Sequence, residues 1–340
     1  MWLVMTHDLS APHVPEAAIH REQHMQILQE ALYAACCQAL SHLEPVQPVL
    51  HQGTCRVNAN RDVKSADGWW VGINPDRPSD HALYALSFCK EDGRPAAVLY
   101  SYAIKSSVLE GVEMSDEKHY ATGDITGVAN AKAEAVLGCP VLFAMGAAGD
   151  QVPRQKGNYL ELDSMQHFRT VNLAEKSWSI LESLSYELCN ALCQTVQGSN
   201  GMPLHGALHF GKCAFSCPGQ ISYPKHFPAP PVSFYDYPEA PEEILDLWSF
   251  QIGEYVLLGV KPEVTTPLFH QLQTASPFKV TLLATLVNGG QGYIATDFDY
   301  ANYTYPGLKT PFRQGTDRVF LQKTLQFLQA LHSGNPVGTE

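Results

Sequence analysis

Charge is scarce in this sequence, and positive charge scarcer still. Only 16% of the 340 residues are charged, with 22 Lys+Arg against 34 Asp+Glu and a formal net charge of −12. A chain this acidic repels a phosphate backbone, which argues against general nucleic-acid binding. Long apolar runs are missing too. None approaches the roughly 18–20 residues that cross a bilayer, so no membrane span is expected. The opening Met-Trp-Leu-Val-Met-Thr-His has no basic segment and no long apolar stretch, so it reads as mature protein rather than a signal peptide. The nine cysteines are an odd number, Cys36 and Cys37 are adjacent, and no disulfide framework is visible. Free thiols in a reducing cytoplasm are the expectation. Nucleophile elbow, P-loop and dinucleotide fingerprint are absent, and so is any internal repeat. What remains is an apolar fraction of 45%, enough for a substantial core. The organisation expected is one α/β domain over 1–335, with a Pro- and Tyr-rich surface excursion at 218–241 and a tail at 336–340.

Hydrophobic spacing predicts the elements. Trp2 to Met5 reads as a short buried strand. From about Pro15 to Leu43, apolar residues including Ile27, Leu28, Ala31, Leu32, Ala35, Leu40 and Leu43 recur at three and four. That predicts an amphipathic helix packed on a core. Val49–Val57 reads as a strand and Asn58–Pro78 as a polar loop. Ala82–Phe88 and Ala96–Ile104 read as a hairpin around Gly93. Asp124–Leu137 predicts a helix stopped by Gly138, with Val128, Ala131, Ala135 and Val136 sharing a face. Val141–Met145 is a buried strand entering the small-residue turn Gly146–Pro153. Leu173–Val196 is a second long helix ending at Gly198, and residues 203–216 a strand. Ala240–Leu247 reads as the start of another helix. Thr281–Val287 is a strand entering the turn Asn288-Gly289-Gly290, and about Asp317–Leu331 a final helix. Strands alternating with helices indicate an α/β class with mixed sheets and packed helices.

Several spacings resemble metal pairs and read better as structure. His205 and His209 share a strand face. Cys189 and Cys193 lie on one core-facing helix side, and Cys213 and Cys217 lack a second pair. His20 and His24 lie on the outer side of the first helix. A zinc site needs three or four convergent ligands, which none of these supplies.

The stretch from Cys55 to Pro153 is more distinctive. It holds Val57-Asn58-Ala59-Asn60-Arg61, Asn74-Pro75-Asp76, Ala97 to Lys105, His119 to Gly127, and Met145-Gly-Ala-Ala-Gly-Asp150-Gln-Val-Pro153. In order and spacing these blocks resemble the catalytic domain of the neutral/alkaline (non-lysosomal) ceramidases. Thr6-His7-Asp8-Leu9-Ser10-Ala11-Pro12, Pro262-Glu263-Val264-Thr265-Thr266 and Asn288 to Tyr305 resemble three further blocks, so the similarity spans most of residues 5–310. The resemblance implies a zinc amidase. In such a site the metal polarises a carbonyl and activates water. Matched residue by residue, His7, Glu263 and Tyr293 would be zinc ligands if zinc is retained, and Arg61 and Tyr305 would face the substrate or the developing oxyanion.

This chain departs from that pattern at three positions. Lys105 stands where the second metal histidine is expected, Leu9 where a water-side histidine is expected, and Val152 where a serine is expected. An ammonium about 4 Å from Zn²⁺ would cost about 8 kcal/mol at an effective dielectric of 20. The simplest alternative is that Lys105 replaces the metal and pairs with Glu263. His119 could substitute as a ligand, although a hydrogen-bonded loop histidine is its plainer reading. Relative to the family, front strands before the His block and a C-terminal sandwich domain are missing. Exposed sheet edges would follow, covered by a second copy or by a partner chain, or else the sequence is a fragment.

Two functional readings stay open at this point. One is a ceramidase-like amidohydrolase of altered activity, acting on a linear amide, with Lys105 as a catalytic group beside Arg61 and Tyr305. The other is a non-catalytic binding or partner subunit holding a small amide or lipid-like ligand in the same cleft. A site elsewhere, such as under residues 218–241, is the third and least supported reading.

Overall fold

The computed structural model describes residues 15–116, 120–163, 168–198, 201–224 and 231–334, with side chains from residue 22 onward. Helix α1 (Pro15–Ser41) is followed by β1 (Gln47–Thr54), β2 (Asn58–Ser65), β3 (Gly68–Asn74), β4 (Ala82–Cys89) and β5 (Pro95–Tyr102). Helix α2 (Asp124–Leu137) leads to β6 (Val141–Met145), β7 (Gln151–Pro153), β8 (Asn158–Leu162) and β9 (Phe168–Asn172). Helix α3 (Lys176–Gln197) and β10 (Met202–Pro203) precede β11 (Leu208–Gln220), β12 (Glu239–Ile252), β13 (Tyr255–Val260) and β14 (Glu263–Val264). Then come α4 (Thr266–Ala275), β15 (Val280–Ala284), β16 (Tyr293–Ile294), α5 (Asp297–Asn302), α6 (Tyr305–Lys309) and α7 (Thr316–His332).

Strand alternation sorts these residues into layers. One sheet has the order β10-β1-β4-β5-β6 and the other β11-β12-β13-β15. Leu83, Ala85, Val98 and Tyr100 point from the first sheet onto Ile125 and Ala129 of α2 and Leu184 and Leu188 of α3. The opposite faces meet each other, with Leu50 and Leu86 against Ile252, Tyr255 and Leu282. Leu247, Val256 and Leu258 then turn outward onto Leu268 and Leu272 of α4 and Phe320 and Phe327 of α7. The result is a mixed α/β architecture layered helix, sheet, sheet, helix. Pairing is parallel where a helix intervenes, β5 with β6 across α2 and β13 with β15 across α4. The remaining strand pairs named here are antiparallel, as the β4–β5 hairpin around Gly93 requires. Among the described residues no helix is long and apolar enough to cross a membrane.

Several sequence expectations are corrected. Asn58–Pro78 is not a loop: β2 and β3 form an antiparallel hairpin, and β2 pairs on its other side with β7. Its inward residues Asn58, Asn60 and Asp62 are polar and buried, so no apolar alternation marked the strand. Ala240–Leu247 belongs to β12, not a helix, because pairing with β11 along β12, joined by β13 from Leu247 on, overrides local preference. Helix α2 exists as expected, with Gly138 left-handed at its end, but it buries Ile125, Ala129 and Ala133 rather than Ala131, Ala135 and Val136. The predicted strand at 203–216 runs on to Gln220 as β11. Helix α1 has the expected extent but not the expected packing. Ile27, Leu32, Tyr33, Leu40 and Leu43 are all exposed. A spacing of three and four makes a face, but these residues of it face solvent. Trp2–Met5 lies outside the described residues, and residues 221–224 and 231–238 of the excursion carry no regular element. All nine cysteines are free thiols, and Cys189 and Cys193 lie on the core-facing side of α3.

One buried group carries a pH consequence. His51 on β1 is buried, and neither ring nitrogen has a hydrogen-bond partner. Burial holds its pKa below the ordinary value, so the folded chain keeps it neutral. The unfolded chain takes up that proton below about pH 6.5. Stability from this group is therefore complete above that pH and lost as pH falls towards the depressed folded value. Thermal unfolding at pH 7.5 and 5.0 should show a smaller acid loss in His51→Leu than in the wild type. Equal losses would remove His51 as a cause.

Candidate functional site

The site forms where β2, the chain after β5, the β14–β16 pair and the start of α6 come together. Arg61 sits in β2, and its backbone N–H donates to Asp150 O at 2.9 Å. Lys105 follows the end of β5. Glu263 opens β14 and lies beside Tyr293 of β16 in a parallel pair. Tyr305 is the first residue of α6.

Buried polar groups hold these pieces in place. Asp150 accepts from Asn60 Nδ2 at 3.0 Å and from the Thr266 backbone N–H at 2.9 Å, tying β2 to the start of α4. Asn58 Nδ2 donates to Ala103 O at 2.8 Å, and the Tyr102 hydroxyl donates to Asn58 Oδ1 at 2.6 Å, which fixes the chain just before Lys105. Asp299 closes a capping box with Thr296 and accepts from Thr304 Oγ1 at 2.6 Å, which sets the turn carrying Tyr305.

Arg61, Lys105, Glu263, Tyr293 and Tyr305 all line one cavity of about 460 Å³. Lys105 Nζ lies 2.7 Å from Glu263 Oε2 and donates to the Tyr293 hydroxyl at 2.9 Å. The Lys105 approach to Glu263 is an ion-pair contact rather than an aligned hydrogen bond. The Arg61 guanidinium carbon is 5.0 Å from the centre of the Tyr293 ring and 4.7 Å from that of Tyr305. Those two rings meet edge-on, with centroids 5.7 Å apart. His7 lies outside the described residues, so its place relative to this cluster is not described. His119 also lies outside them. Among the described residues no group of three or more His, Cys, Asp or Glu converges as a metal cluster would.

Burial dominates the electrostatics. It pulls the Lys105 ammonium below its ordinary pKa, with the Arg61 charge adding to the effect and Glu263 opposing it. Burial pushes the Tyr305 hydroxyl up to about 12, and burial with the Glu263 charge pushes Tyr293 higher still. Both phenols therefore remain hydrogen-bond donors at neutral pH. Behind Arg61, burial lifts the Asp62 carboxyl to about 7 against the pull of Arg61 itself.

The cavity also contains groups that sequence reasoning missed. Lys156 is almost fully buried and pairs with Glu110 at 2.8 Å. Ser107 Oγ is buried without a partner. Asp124, the first residue of α2, ties the preceding loop to the helix, its two oxygens accepting the backbone N–H groups of Val108, Leu109 and Ile125. Lys156 sits in a polar loop with no local pattern, and only the fold turns it inward. Val71, Phe143, Met145, Leu160 and Leu286 supply apolar wall.

The fold is a mixed α/β fold of the ceramidase-like kind. The chain is similar to the crystal structure of neutral ceramidase from Pseudomonas aeruginosa, with a TM-score of 0.65 and 17% identity over 89% of this chain and 55% of that one. It is similar also to a ceramidase complexed with C2, with a TM-score of 0.66 and 17% identity over 89% of this chain and 56% of that one. The chain therefore spans little more than half the length of these solved structures. No family model and no curated protein matches the sequence.

Proposed function

We propose that this chain is a ceramidase-like amidohydrolase of altered, metal-independent chemistry, acting on a small linear amide. The observation that carries the reading is Lys105. Its ammonium contacts both Glu263 and Tyr293, the two described positions that the resemblance assigns to zinc. A zinc ion does not fit this donor set while that ammonium stands between its two oxygens, because a dication and a cation at contact distance repel strongly. The positive charge is kept, and its carrier has changed.

The chemistry then falls to side chains. An amide carbonyl oxygen set against Lys105 and the Tyr305 hydroxyl receives donors that strengthen as it becomes an oxyanion. Water adds to the carbonyl carbon and its proton passes to Glu263. The C–N bond then breaks, and the leaving nitrogen takes that proton. The products are a carboxylic acid and an amine, which become carboxylate and ammonium at neutral pH when the acid passes its proton to the amine. A second reading, binding without turnover, is favoured by one feature: the Glu263 charge is already engaged by Lys105, which opposes its use as a base.

Metal content after dialysis and hydrolysis of short N-acyl amines, with and without chelator, test the proposal. The expected result is chelator-insensitive hydrolysis by wild type with no bound zinc, and zinc uptake only in Lys105→His. Zinc near one per chain in the wild type would sink the metal-independent part. Amide binding with no hydrolysis would leave the second reading.

A further inference from the structure

The Arg61 guanidinium is 3% exposed and faces the cavity. The Tyr293 and Tyr305 rings both lie near it, with centroids 5.0 and 4.7 Å from its carbon and 5.7 Å from each other. Ring contacts use the faces of a guanidinium and leave the N–H groups at its edge for hydrogen bonds. Along that edge, Nε and Nη2 are buried and have no hydrogen-bond partner. These two nitrogens form the side-on fork whose parallel N–H groups match the two oxygens of a carboxylate. Leaving them bare in a buried site is costly, which points to a ligand that supplies the acceptors.

The other charges of the cavity are already matched. Lys105 pairs with Glu263 and Lys156 with Glu110. Asp124 spends its oxygens on three backbone N–H groups. Arg61 has no carboxylate in ion-pair contact among the described residues, and Glu263 and Asp62 act on its charge only through space.

We propose that the cavity takes an amide that carries its own carboxylate, an N-acyl amino acid in chemical class, with the carboxylate held side-on by Nε and Nη2 of Arg61. The acyl chain lies along Val71, Phe143, Met145 and Leu160, and the amide falls beside Lys105. The inference rests on the amide reading above and adds to it the anionic group that the ligand must bear.

The test is calorimetric binding of N-hexanoylglycine and of N-hexanoylglycinamide, which share a shape and differ in the charge of the terminal group. Wild type should bind the acid about tenfold or more tightly than the amide, as expected for charge-assisted hydrogen bonds. Arg61→Gln should abolish the preference. Arg61→Lys should lose most of it, since an ammonium keeps the charge without the fork. Leu160→Trp fills the cavity from its rim, outside the main core, and should abolish binding of both probes. It decides the location even if the buried Arg61 variants fail to fold. Equal binding of the two probes by wild type, no binding of either, or acid binding that survives Leu160→Trp would each overturn the proposal. Release of glycine or glycinamide, followed in the same samples, separates the two ideas. Acid preference without hydrolysis would sink the amidohydrolase reading alone, and hydrolysis without acid preference would sink this inference alone.

Discussion

Lys105→Met is expected to lower folding stability by about 3 kcal/mol, because it leaves the Glu263 carboxylate without its partner in a site that water barely reaches. The two side chains are 17% and 13% exposed, so solvent can replace little of the lost interaction. Arg61 remains nearby and keeps the loss at the lower end of the range for broken buried pairs. The Tyr293 hydroxyl loses a donor at the same time. Adding Glu263→Gln should restore most of the stability, since the neutral amide no longer needs a counter-charge. Urea unfolding of the wild type, both single variants and the double variant closes the cycle. A loss below about 1 kcal/mol in Lys105→Met, or no recovery in the double variant, would show that the pair contributes no more than an exposed ion pair does.

Gly149→Ala is expected to be comparably damaging, for a steric reason. A Cβ at Gly149 would lie 2.7 Å from the Val264 carbonyl carbon, 2.8 Å from its oxygen and 2.9 Å from the Thr265 nitrogen. These are backbone atoms and cannot rotate away. The Gly149 N–H also donates to Val264 O at 2.9 Å, so relief of the clash stretches the link to β14. Because β14 carries Glu263, the substitution should cost about 3 kcal/mol and also pull Glu263 away from Lys105. Gly127→Ala is the control. It lies within α2, meets nothing within 4 Å, and should raise the melting temperature slightly through helix propensity. Melting curves for both variants decide the matter. An unchanged melting temperature in Gly149→Ala would mean that β14 can move aside freely.

The reach of the sequence differs from element to element. Where one face is apolar and the other wet, spacing was sufficient. The β4–β5 hairpin, α3 and α7 all stand close to their expected bounds. Where a strand buries polar residues to build the site, as β2 does with Asn58, Asn60 and Asp62, the pattern reads as loop. Helix α1 shows the opposite limit: an apolar repeat predicts a helix, and the partner for its face lies beyond what periodicity encodes.

The cavity divides in the same way. Composition argued against general nucleic-acid binding, and ordered motifs singled out Arg61, Lys105, Glu263, Tyr293 and Tyr305, because block order and residue chemistry are carried along the chain. Their convergence came from the tertiary structure. Residues 61, 105, 263, 293 and 305 are joined by sheet crossings and by the buried carboxylates Asp150 and Asp299, and no local rule encodes those distances. The inward turn of Lys156 and the bare edge of Arg61 were likewise decided only in three dimensions. Burial and the absence of a partner are properties of everything packed around a side chain, and a linear pattern holds neither.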